Sequence, residues 1–346
     1  MKNYDNILSK KVLITGHTGF KGGWLSFFLK NLDCKIYGIS DIENDGIYKL
    51  TNVSSLYESE FFLDLNKTSV DELIETVNKI EPEIVFHFAA QSLVKTAIKK
   101  PYETIETNAI GTLKVLDAVN KCNSVEQITI ATTDKVYKTP NIQNQEIDEL
   151  LGYEFYSASK VAAENFIKAF QNNFQRENLN ILTVRSGNVI GGGDRAADRI
   201  VTDIVNNILK EKDLKIRNLK HIRPWTYILD SLNGYLLATN YCIEKSKNEV
   251  FNLNSEINNQ FDVEYVLSKF KDLHEFDFIV ENSEEEKLKE VTTLIIDSTK
   301  AKNLLGWEAK VELDEIIKLI YNWEIHHSKN KHNDYSFEEV ERFLNK

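Results

Sequence analysis

Residues 10–41 read KKVLITGHTGFKGGWLSFFLKNLDCKIYGISD, and this stretch decides the fold. A short apolar strand is predicted from Val12 to Thr15, and it runs directly into a turn rich in glycine. A helix is predicted from about Gly23, and a second strand from Lys35 to Ile39. A strand, a glycine turn and a helix in this order are typical of the front of a dinucleotide-binding βαβ unit.

The three glycines of the turn have separate tasks in such a unit. Gly16 lets the chain leave the strand sharply, Gly19 lets the backbone approach a pyrophosphate, and Gly22 lets the helix pack close to the sheet. The diphosphate would then meet unpaired N–H groups at the helix N-terminus. Asp41 stands 19 residues after Gly22 and is expected to accept hydrogen bonds from an adenosine ribose. The neighbouring acids at 43 and 45 are alternatives for that role.

Composition and charge limit the class of protein. A chain of 346 residues suits a nucleotide-binding domain with a smaller second lobe. The formal net charge of -11 argues against a nucleic-acid partner. Since no run approaches about 18 apolar residues, no membrane span is expected. Cys34, Cys122 and Cys242 are far apart and lack metal-ligand spacing, which favours reduced structural thiols in a cytoplasmic protein.

No metal site is predicted from the histidines. His326 and His327 are adjacent in a polar tail, and this favours exposed side chains over metal ligands.

Strand and helix patterns alternate through the first half of the chain. After the first two strands, further strands are predicted at FFLDLN (61–66, ending near Asp64), at 84–88, at 126–137 and at 181–185. Helices are predicted at 70–79, 102–120 and 156–172. Six strands that alternate with helices predict an α/β fold with a Rossmann-like, doubly wound parallel sheet.

The pattern is less regular beyond residue 186. Residues 1–186 are predicted to form the dinucleotide-binding domain, with parts of 220–255 returning to it, and 187–327 a smaller mixed α/β substrate lobe. A helix is predicted at 228–246 and a strand at 249–253. Residues 328–346 are predicted to be a peripheral helix or a mobile tail, and the charged run at 281–290 a solvated loop.

Tyr156 and Lys160 form the clearest chemical motif. They stand four residues apart on a predicted helix and therefore share a face. A neighbouring ammonium favours the phenolate of a tyrosine, so this pair can accept a proton from a sugar hydroxyl near neutral pH. With the glycine turn upstream and Thr133 at the end of a predicted strand, the pair indicates a short-chain dehydrogenase/reductase.

Five longer strings carry a closer resemblance. They are GHTGFKGGWL (16–25), TTDKVY (132–137), YSASK (156–160), RSGNVIGGGDRAADR (185–199) and RPWTYILDSLNGYL (223–236). With them the chain resembles the extended short-chain dehydrogenase/reductases that act on nucleotide sugars, and in particular the CDP-glucose 4,6-dehydratases. The resemblance implies a bound NAD, a nucleotide-sugar substrate and a homodimer or homotetramer.

The same resemblance implies a set of binding residues. Those for the cofactor are Gly16, His17, Thr18, Gly19, Phe20, Gly22, Asp41, Asp64, Leu65, Ala89 and Ala90, together with Tyr156 and Lys160. Those for the substrate are Lys21, Asn108, Arg185, Asn188, Arg199 and Arg223. A solvated side chain is the alternative for Lys21, and pairing with local acids is the alternative for the arginines. Arg195 and Thr202 depart from the family, which usually has tryptophan and proline there.

The TTDK segment separates two types of reaction. An epimerase needs only oxidation and reduction at C4, whereas a dehydratase must also remove the C5 proton and expel the C6 hydroxyl, which takes two more proton-transfer groups. The resemblance implies that Asp134 is the acid toward the C6 oxygen and that Lys135 takes the C5 proton. Water or Tyr156 is the alternative base.

The predicted reaction converts CDP-glucose to the 4-keto-6-deoxy sugar by internal hydride transfer through bound NAD. NAD is expected rather than NADP because residues 40–45 contain acids and no arginine. The alternatives are a dehydratase for another nucleotide hexose, a nucleotide-sugar epimerase or reductase, and a non-catalytic dinucleotide-binding protein. The proton-transfer residues disfavour the last of these.

Overall fold

A seven-stranded parallel sheet lies at the centre of the computed structural model, which describes residues 4–139, 143–210, 212–216, 218–255, 260–280, 296–330 and 332–346. The strands are β1 (Lys11–Thr15), β2 (Lys35–Ser40), β3 (Tyr57–Phe62), β4 (Ile84–His87), β5 (Gln127–Ala131), β6 (Asn180–Ser186) and β7 (Glu249–Leu253). Their order in the sheet is β7-β6-β5-β4-β1-β2-β3. The order reverses between β1 and β4, and ligands of such sheets bind at the carboxyl ends of the strands beside this point.

Thirteen α-helices lie within the described ranges. They are α1 (Phe20–Lys30), α2 (Ile47–Leu50), α3 (Val70–Ile80), α4 (Val94–Lys99), α5 (Pro101–Ile105), α6 (Gly111–Lys121), α7 (Phe155–Asn173), α8 (Ile200–Lys210), α9 (Ile228–Lys245), α10 (Val263–Lys271), α11 (Thr299–Leu305), α12 (Leu313–His327) and α13 (Asp334–Leu344). Short 3-10 helices occur at Val53–Leu56 and Asp134–Val136. Short strands occur at Val189–Ile190, Lys215–Ile216, Ile222–Pro224, Thr226–Tyr227, Gln260–Asp262 and Ile279–Val280.

Helices cover both faces of the sheet. Successive residues of a strand point to opposite faces, so Leu13 packs with α3, α6 and α7, while Val12 and Ile14 pack with α1 and α9. All four residues of β4 are buried, as expected of a parallel strand covered on both sides. The prediction of a doubly wound parallel α/β sheet is confirmed.

The sheet gains one strand from the second half of the chain. Strand β7 pairs in parallel with β6, with Phe251 opposite Val184, and α9 packs on the neighbouring strands. The six strands predicted from the first half therefore form a continuous part of the sheet, and β7 adds an edge strand beside β6.

Three element boundaries differ from the prediction. Strand β3 covers 57–62 rather than 61–64, because the carbonyl of Asp64 accepts hydrogen bonds from the N–H groups of Lys67 and Thr68 and so forms a turn. The strand predicted at 126–137 ends at Ala131 and is followed by the 3-10 turn at 134–136. The long helix predicted at 102–120 contains a π-helical segment, Glu106–Ile110, between α5 and α6.

The C-terminal segment forms a helix, one of the two predicted alternatives, and this helix packs on the core. On α13, Val340 and Phe343 are buried in the main core, and Phe337 lies edge-on to Phe27 of α1 with ring centroids 5.0 Å apart. Apolar residues three positions apart give α13 one apolar face, and α1 offers the surface that this face covers. His327 is also buried and stacks on Trp323, contrary to the expected exposure. The run at 281–290 lies outside the described residues.

Candidate active site

The glycine turn between β1 and α1 forms a cradle that side chains would fill. Gly16 has a φ of 76°, and a Cβ there would stand 2.6 Å from the backbone nitrogen of Ala89. A Cβ on Gly22 would stand 2.4 Å from the carbonyl oxygen of Gly16, so both positions require glycine. Gly19 is the N-cap of α1 and provides no side-chain cap, which leaves the first-turn N–H groups for an anion.

The side chains of the turn point away from the space above the sheet. His17 is fully buried, its Nε2 lies 2.9 Å from Oε1 of Glu60, and burial lowers the pKa of its imidazole. The hydroxyl of Thr18 donates a hydrogen bond of 2.8 Å to the carbonyl of Ile42. The ring of Phe20 packs toward Gly191. We infer that these residues face a dinucleotide through their backbone.

The other predicted cofactor residues lie at the carboxyl ends of neighbouring strands. Asp41 follows β2, is exposed, and accepts a hydrogen bond of 2.9 Å from the N–H of Ile42. Asp64 is half-buried in the turn after β3, and the buried Leu65 accepts a bond from Lys114 through its carbonyl. Ala89 and Ala90 follow β4 and are half-buried. Strands β2, β3 and β4 therefore place these residues at the carboxyl-end edge of the sheet.

Tyr156 and Lys160 lie in the first turns of α7, next to the end of β5. Both side chains are buried, and Nζ of Lys160 donates a hydrogen bond of 3.1 Å to the carbonyl of Ala131. Burial lowers the pKa of Lys160 to about 8, and the charge of Lys21 acts in the same direction. Burial raises the pKa of Tyr156 to about 12, opposed by a hydrogen bond with Thr133. The phenol is therefore neutral near pH 7 without a ligand, and it needs further positive charge before it can act as a base.

Asp134 is a buried acid next to Thr133. It opens the 3-10 turn that Thr133 caps, and the Thr133 hydroxyl donates a 3.0 Å hydrogen bond to Oδ1. Oδ2 is buried without a hydrogen-bond partner among the described residues. Burial raises the pKa of Asp134, although the charge of Lys135 opposes this. A raised pKa favours the acid form of the carboxyl, which can donate a proton. Lys135, the next residue, is half-buried.

Lys21 is held inside the site by two hydroxyls, so the alternative of a solvated lysine does not apply. Its Nζ lies 2.9 Å from Oγ of Ser186 and 3.4 Å from the phenol oxygen of Tyr235. Burial lowers the pKa of Lys21 to about 8, and the charge of Arg199 adds to this effect. The ammonium also acts electrostatically on Asp134.

Arg185 is turned into the protein. Its guanidinium forms a bidentate ion pair with Glu164, with Nε at 3.0 Å from Oε1 and Nη2 at 2.5 Å from Oε2. Nη1 donates to the phenol oxygen of Tyr137 at 2.8 Å and to the carbonyl of Glu146 at 3.0 Å. This geometry corresponds to the alternative of an arginine paired with a local acid. We therefore treat Arg185 as a positioning residue rather than a substrate ligand.

Asn108 is likewise committed to the protein. It is fully buried in the π-helical segment, where its Oδ1 accepts a 2.8 Å bond from the N–H of Gln91. Its Nδ2 donates to the Gln91 carbonyl at 2.8 Å and to the Ser159 hydroxyl at 2.9 Å. Asn108 thus ties the loop after β4 to α7, and the described contacts leave its amide turned away from a substrate.

The remaining predicted substrate residues all follow β6 in the chain. Arg199 pairs with Asp194 at 2.6 Å, remains partly exposed, and acts through its charge on Tyr156. The charge of Arg223 acts on Asp134, and Asn188 is half-buried just after β6. Arg199, Arg223 and Asn188 are therefore better placed for a substrate than Arg185 or Asn108.

The two departures from the family pattern are accommodated inside the protein. Arg195 forms an ion pair with Glu324, with Nη1 at 2.8 Å from Oε1, and the same oxygen accepts the N–H of Gly193 at 2.8 Å. The hydroxyl of Thr202 lies 3.4 Å from the carbonyl of Asp194.

Sequence reasoning missed two residues that lie around Tyr156 and Lys160. Glu164 lies one turn after Lys160 on α7 and holds Arg185, while it also accepts a 2.7 Å bond from Thr132. His87, at the end of β4, lies between Thr15 at 2.6 Å and Thr112 at 3.0 Å. Burial lowers the pKa of His87 to about 3, with the charge of Lys160 adding to this, so the ring is neutral. The polar residue at the end of an apolar strand was a usable signal for His87.

The described residues contain no group of three or more histidine, cysteine, aspartate or glutamate side chains that could hold a metal ion. The three cysteines are free and buried. Of the helices in the described part of the chain, none is both long and apolar enough to cross a bilayer.

Comparison with known proteins gives the family context. Residues 13–320 match the family model described as GDP-mannose 4,6 dehydratase. A CDP-glucose 4,6-dehydratase of Salmonella typhimurium is 33% identical over 326 residues, which cover 91% of this chain and 90% of the relative. GDP-mannose 4,6 dehydratase 2 of Caenorhabditis elegans is 26% identical over 338 residues, which cover 89% of this chain and 87% of the relative.

Solved structures of similar fold include epimerases. MoeE5 in complex with UDP-glucuronic acid and NAD superposes with a TM-score of 0.78 at 21% identity, covering 91% of this chain and 99% of that one. The structure of a UDP-glucose 4-epimerase of Thermotoga maritima with UDP-glucose superposes with a TM-score of 0.79 at 22% identity. The match covers 92% of this chain and 100% of that one. At these identities the likeness concerns the fold alone.

Proposed function

The chain belongs to the nucleotide-sugar dehydratase family described as GDP-mannose 4,6 dehydratase, and from that premise we propose that it converts CDP-glucose to CDP-4-keto-6-deoxyglucose. The observation that carries the proposal is the buried carboxyl of Asp134, whose Oδ2 has no partner among the described residues, beside Thr133 and Tyr156. An epimerase has no step that needs this additional acid. The choice of CDP-glucose is supported by the 33% identity to the Salmonella enzyme.

The glycine cradle fits a dinucleotide, and we propose NAD as the resident cofactor. Gly16 and Gly22 leave no room for a Cβ, and the uncapped first turn of α1 offers N–H groups to a diphosphate. Asp41 would accept bonds from the adenosine ribose, and Lys160 would hold the second ribose. Bound NAD supplies a hydride acceptor for C4 and returns the same hydride at C6, so no cofactor is consumed.

Tyr156 is the proposed base for the C4 hydroxyl. Burial raises its pKa to about 12, so cations close to it are needed to stabilise the phenolate. Arg199 acts on it in that direction, and Lys160 lies one helical turn away on the same face. Oxidised nicotinamide is a further cation. This arrangement supports removal of the C4 hydroxyl proton in concert with loss of hydride.

Elimination of water needs a second acid–base pair. We assign Asp134 as the acid because burial raises its pKa and its Oδ2 has no hydrogen-bond partner among the described residues. The C6–O bond breaks as the Asp134 proton passes to that oxygen, and the C5 proton passes to Lys135. Water or Tyr156 is the alternative base for C5, since Lys135 is only half-buried.

The diphosphate of the substrate would lie toward Arg199 and Arg223. Planar guanidinium groups donate in pairs to phosphate oxygens, and Arg199 is paired with only one carboxylate, that of Asp194, among the described residues. Asn188 would donate to a hexose or phosphate oxygen.

A panel of nucleotide sugars tests the proposal. The NAD-loaded protein is incubated with CDP-, GDP-, UDP- and dTDP-hexoses, and each product is examined by mass spectrometry for loss of water. CDP-glucose is expected to lose water fastest, and Tyr156→Phe serves as the matched inactive control. Epimerised sugars of unchanged mass would support an epimerase instead, and absence of any change in every sugar would contradict both enzymes.

A further inference from the structure

Two buried oxygens next to the glycine that follows β6 lack hydrogen-bond donors. Oδ2 of Asp134 and Oδ1 of Asn254 have no partner among the described residues, although both side chains are at most 4% exposed. Buried polar atoms in folded proteins are nearly always hydrogen-bonded, and an unpaired one costs about 1 to 3 kcal/mol. Two in one place therefore point to a ligand that supplies the missing donor and acceptor groups.

Gly187 shows that the two oxygens border the same small space. A Cβ built on this glycine would stand 2.9 Å from Oδ2 of Asp134 and 3.3 Å from Oδ1 of Asn254. The ring of Pro224, 3.0 Å from the same point, forms a further wall. Position 187 carries no side chain, so the point that lies within 3.3 Å of both buried oxygens is not filled by this residue.

Asn254 is held firmly in this position by its backbone. It directly follows β7, and its N–H donates a 2.9 Å bond to the hydroxyl of Ser298. The next residue, Ser255, donates its N–H to the hydroxyl of Thr226 at 3.2 Å. The backbone on both sides is thus anchored to other elements, and the free amide oxygen of Asn254 is presented to the space beside Gly187.

A hydroxyl group satisfies both oxygens at once. A hydroxyl accepts one hydrogen bond and donates another. The acid form of Asp134 needs an acceptor for its proton, and the amide oxygen of Asn254 needs a donor. A hydroxyl between them completes both bonds, whereas a methyl group completes neither.

We propose that Asn254 binds the departing C6 hydroxyl of the hexose. The hydroxyl donates a hydrogen bond to the amide oxygen of Asn254, and the carboxyl of Asp134 donates a hydrogen bond to the hydroxyl oxygen. This inference rests on the proposed dehydratase function and adds a substrate-binding residue to it. As the C6–O bond breaks, the Asp134 proton passes to the oxygen and the C5 proton to the base, and a C5–C6 double bond forms. The water produced keeps its hydrogen bond to Asn254.

The test compares two ligands that differ only in this hydroxyl. NAD-loaded Tyr156→Phe protein, which does not turn substrate over, is titrated calorimetrically with CDP-glucose and with CDP-6-deoxyglucose. Asn254→Ala in the same background is expected to lose about fivefold to tenfold in affinity for CDP-glucose, the value of one hydrogen bond. Its affinity for the 6-deoxy sugar should change by less than about twofold, because that sugar has no C6 hydroxyl.

A second variant tests the same space without touching Asn254. Gly187→Ala places a methyl group against both oxygens. It should lower the affinity for CDP-glucose more than the affinity for the 6-deoxy analogue. If Asn254→Ala lost equal affinity for the two sugars, or lost affinity for neither, the inference would be overturned. The proposed dehydratase function would be unaffected by that result. If the Tyr156→Phe protein bound no nucleotide hexose, and the parent protein dehydrated none, the proposed function itself would be wrong.

Discussion

Thr133 donates a 3.0 Å hydrogen bond to one oxygen of Asp134 and leaves the other oxygen free. The bond fixes the carboxyl at the start of the 3-10 turn and leaves Oδ2 beside Gly187. Thr133 also lowers the pKa of the Tyr156 phenol, so one hydroxyl acts on both the proposed base for C4 and the proposed acid for C6. Removing the acid should therefore separate the two chemical steps.

Asp134→Asn should stop the reaction after oxidation. The first hydride transfer needs Tyr156 and NAD but no acid at C6, whereas loss of hydroxide should slow by about 10² to 10⁴ for want of a proton. Stopped-flow absorbance in the near ultraviolet is expected to show enzyme-bound NADH that forms and persists. Tyr156→Phe is the control and should form none. Dehydration at the parent rate in Asp134→Asn would mean that the acid lies elsewhere.

Arg185 and Arg199 should respond differently to replacement by leucine. Arg185→Leu leaves Glu164 buried without its partner and should lower the free energy of unfolding by about 3 to 5 kcal/mol. Arg199→Leu removes a partly exposed ion pair and should change the free energy of unfolding by less than about 1 kcal/mol.

The same two variants should separate in substrate affinity. Arg199→Leu is expected to raise KM by about tenfold to a hundredfold through the lost phosphate contact. Urea unfolding and steady-state kinetics of both variants check this. A stable Arg185→Leu protein with a raised KM would return Arg185 to the substrate site.

The sequence predicted the parts of the site that local spacing determines. The glycine turn, the position of Asp134 after an apolar strand and the four-residue spacing of Tyr156 and Lys160 are visible along the chain, because each depends on one turn or one helix. The partner of Arg185 was not predictable, since Glu164 is brought to it by the packing of α7 on β6. Asn254 follows a strand that joins the sheet from the second half of the chain.

Glu339 should make stability depend on pH. Its carboxyl accepts a hydrogen bond from the phenol of Tyr227, and burial raises its pKa from 4.5 to about 7. The folded protein holds this proton more tightly than the unfolded chain does. The contribution of protonated Glu339 to the free energy of unfolding is therefore complete below pH 4.5 and is lost as the pH rises to about 7. Its size is on the order of 3 kcal/mol.

Urea unfolding of the parent, Glu339→Gln and Glu338→Gln at about pH 5 and about pH 7.5 measures this effect. Between the lower and the higher pH, Glu339→Gln should lose less free energy of unfolding than the parent protein. Glu338, one residue earlier on α13 and paired with Arg342 at the surface, is the matched control and should behave as the parent. Equal pH dependence in all three proteins would contradict the assignment.

The apoprotein should bind NAD more tightly than NADP. A 2′-phosphate would meet Asp41 after β2, and no arginine occurs at 40–45 to neutralise it. We expect at least about a tenfold difference in Kd by fluorescence titration, and a smaller one in Asp41→Ser. Equal affinity of the parent protein for the two dinucleotides would show that Asp41 does not face the ribose.

The most direct test of the dehydratase function is the reaction of CDP-glucose carrying deuterium at C4, and separately of unlabelled CDP-glucose in deuterated water, followed by mass and nuclear magnetic resonance spectra. Internal hydride transfer predicts a product that has lost water and carries the C4 deuterium at C6. Removal and return of the C5 proton predicts solvent deuterium at C5 in the second reaction. A sugar of unchanged mass, with its label still at C4 and no solvent deuterium at C5, would contradict the account.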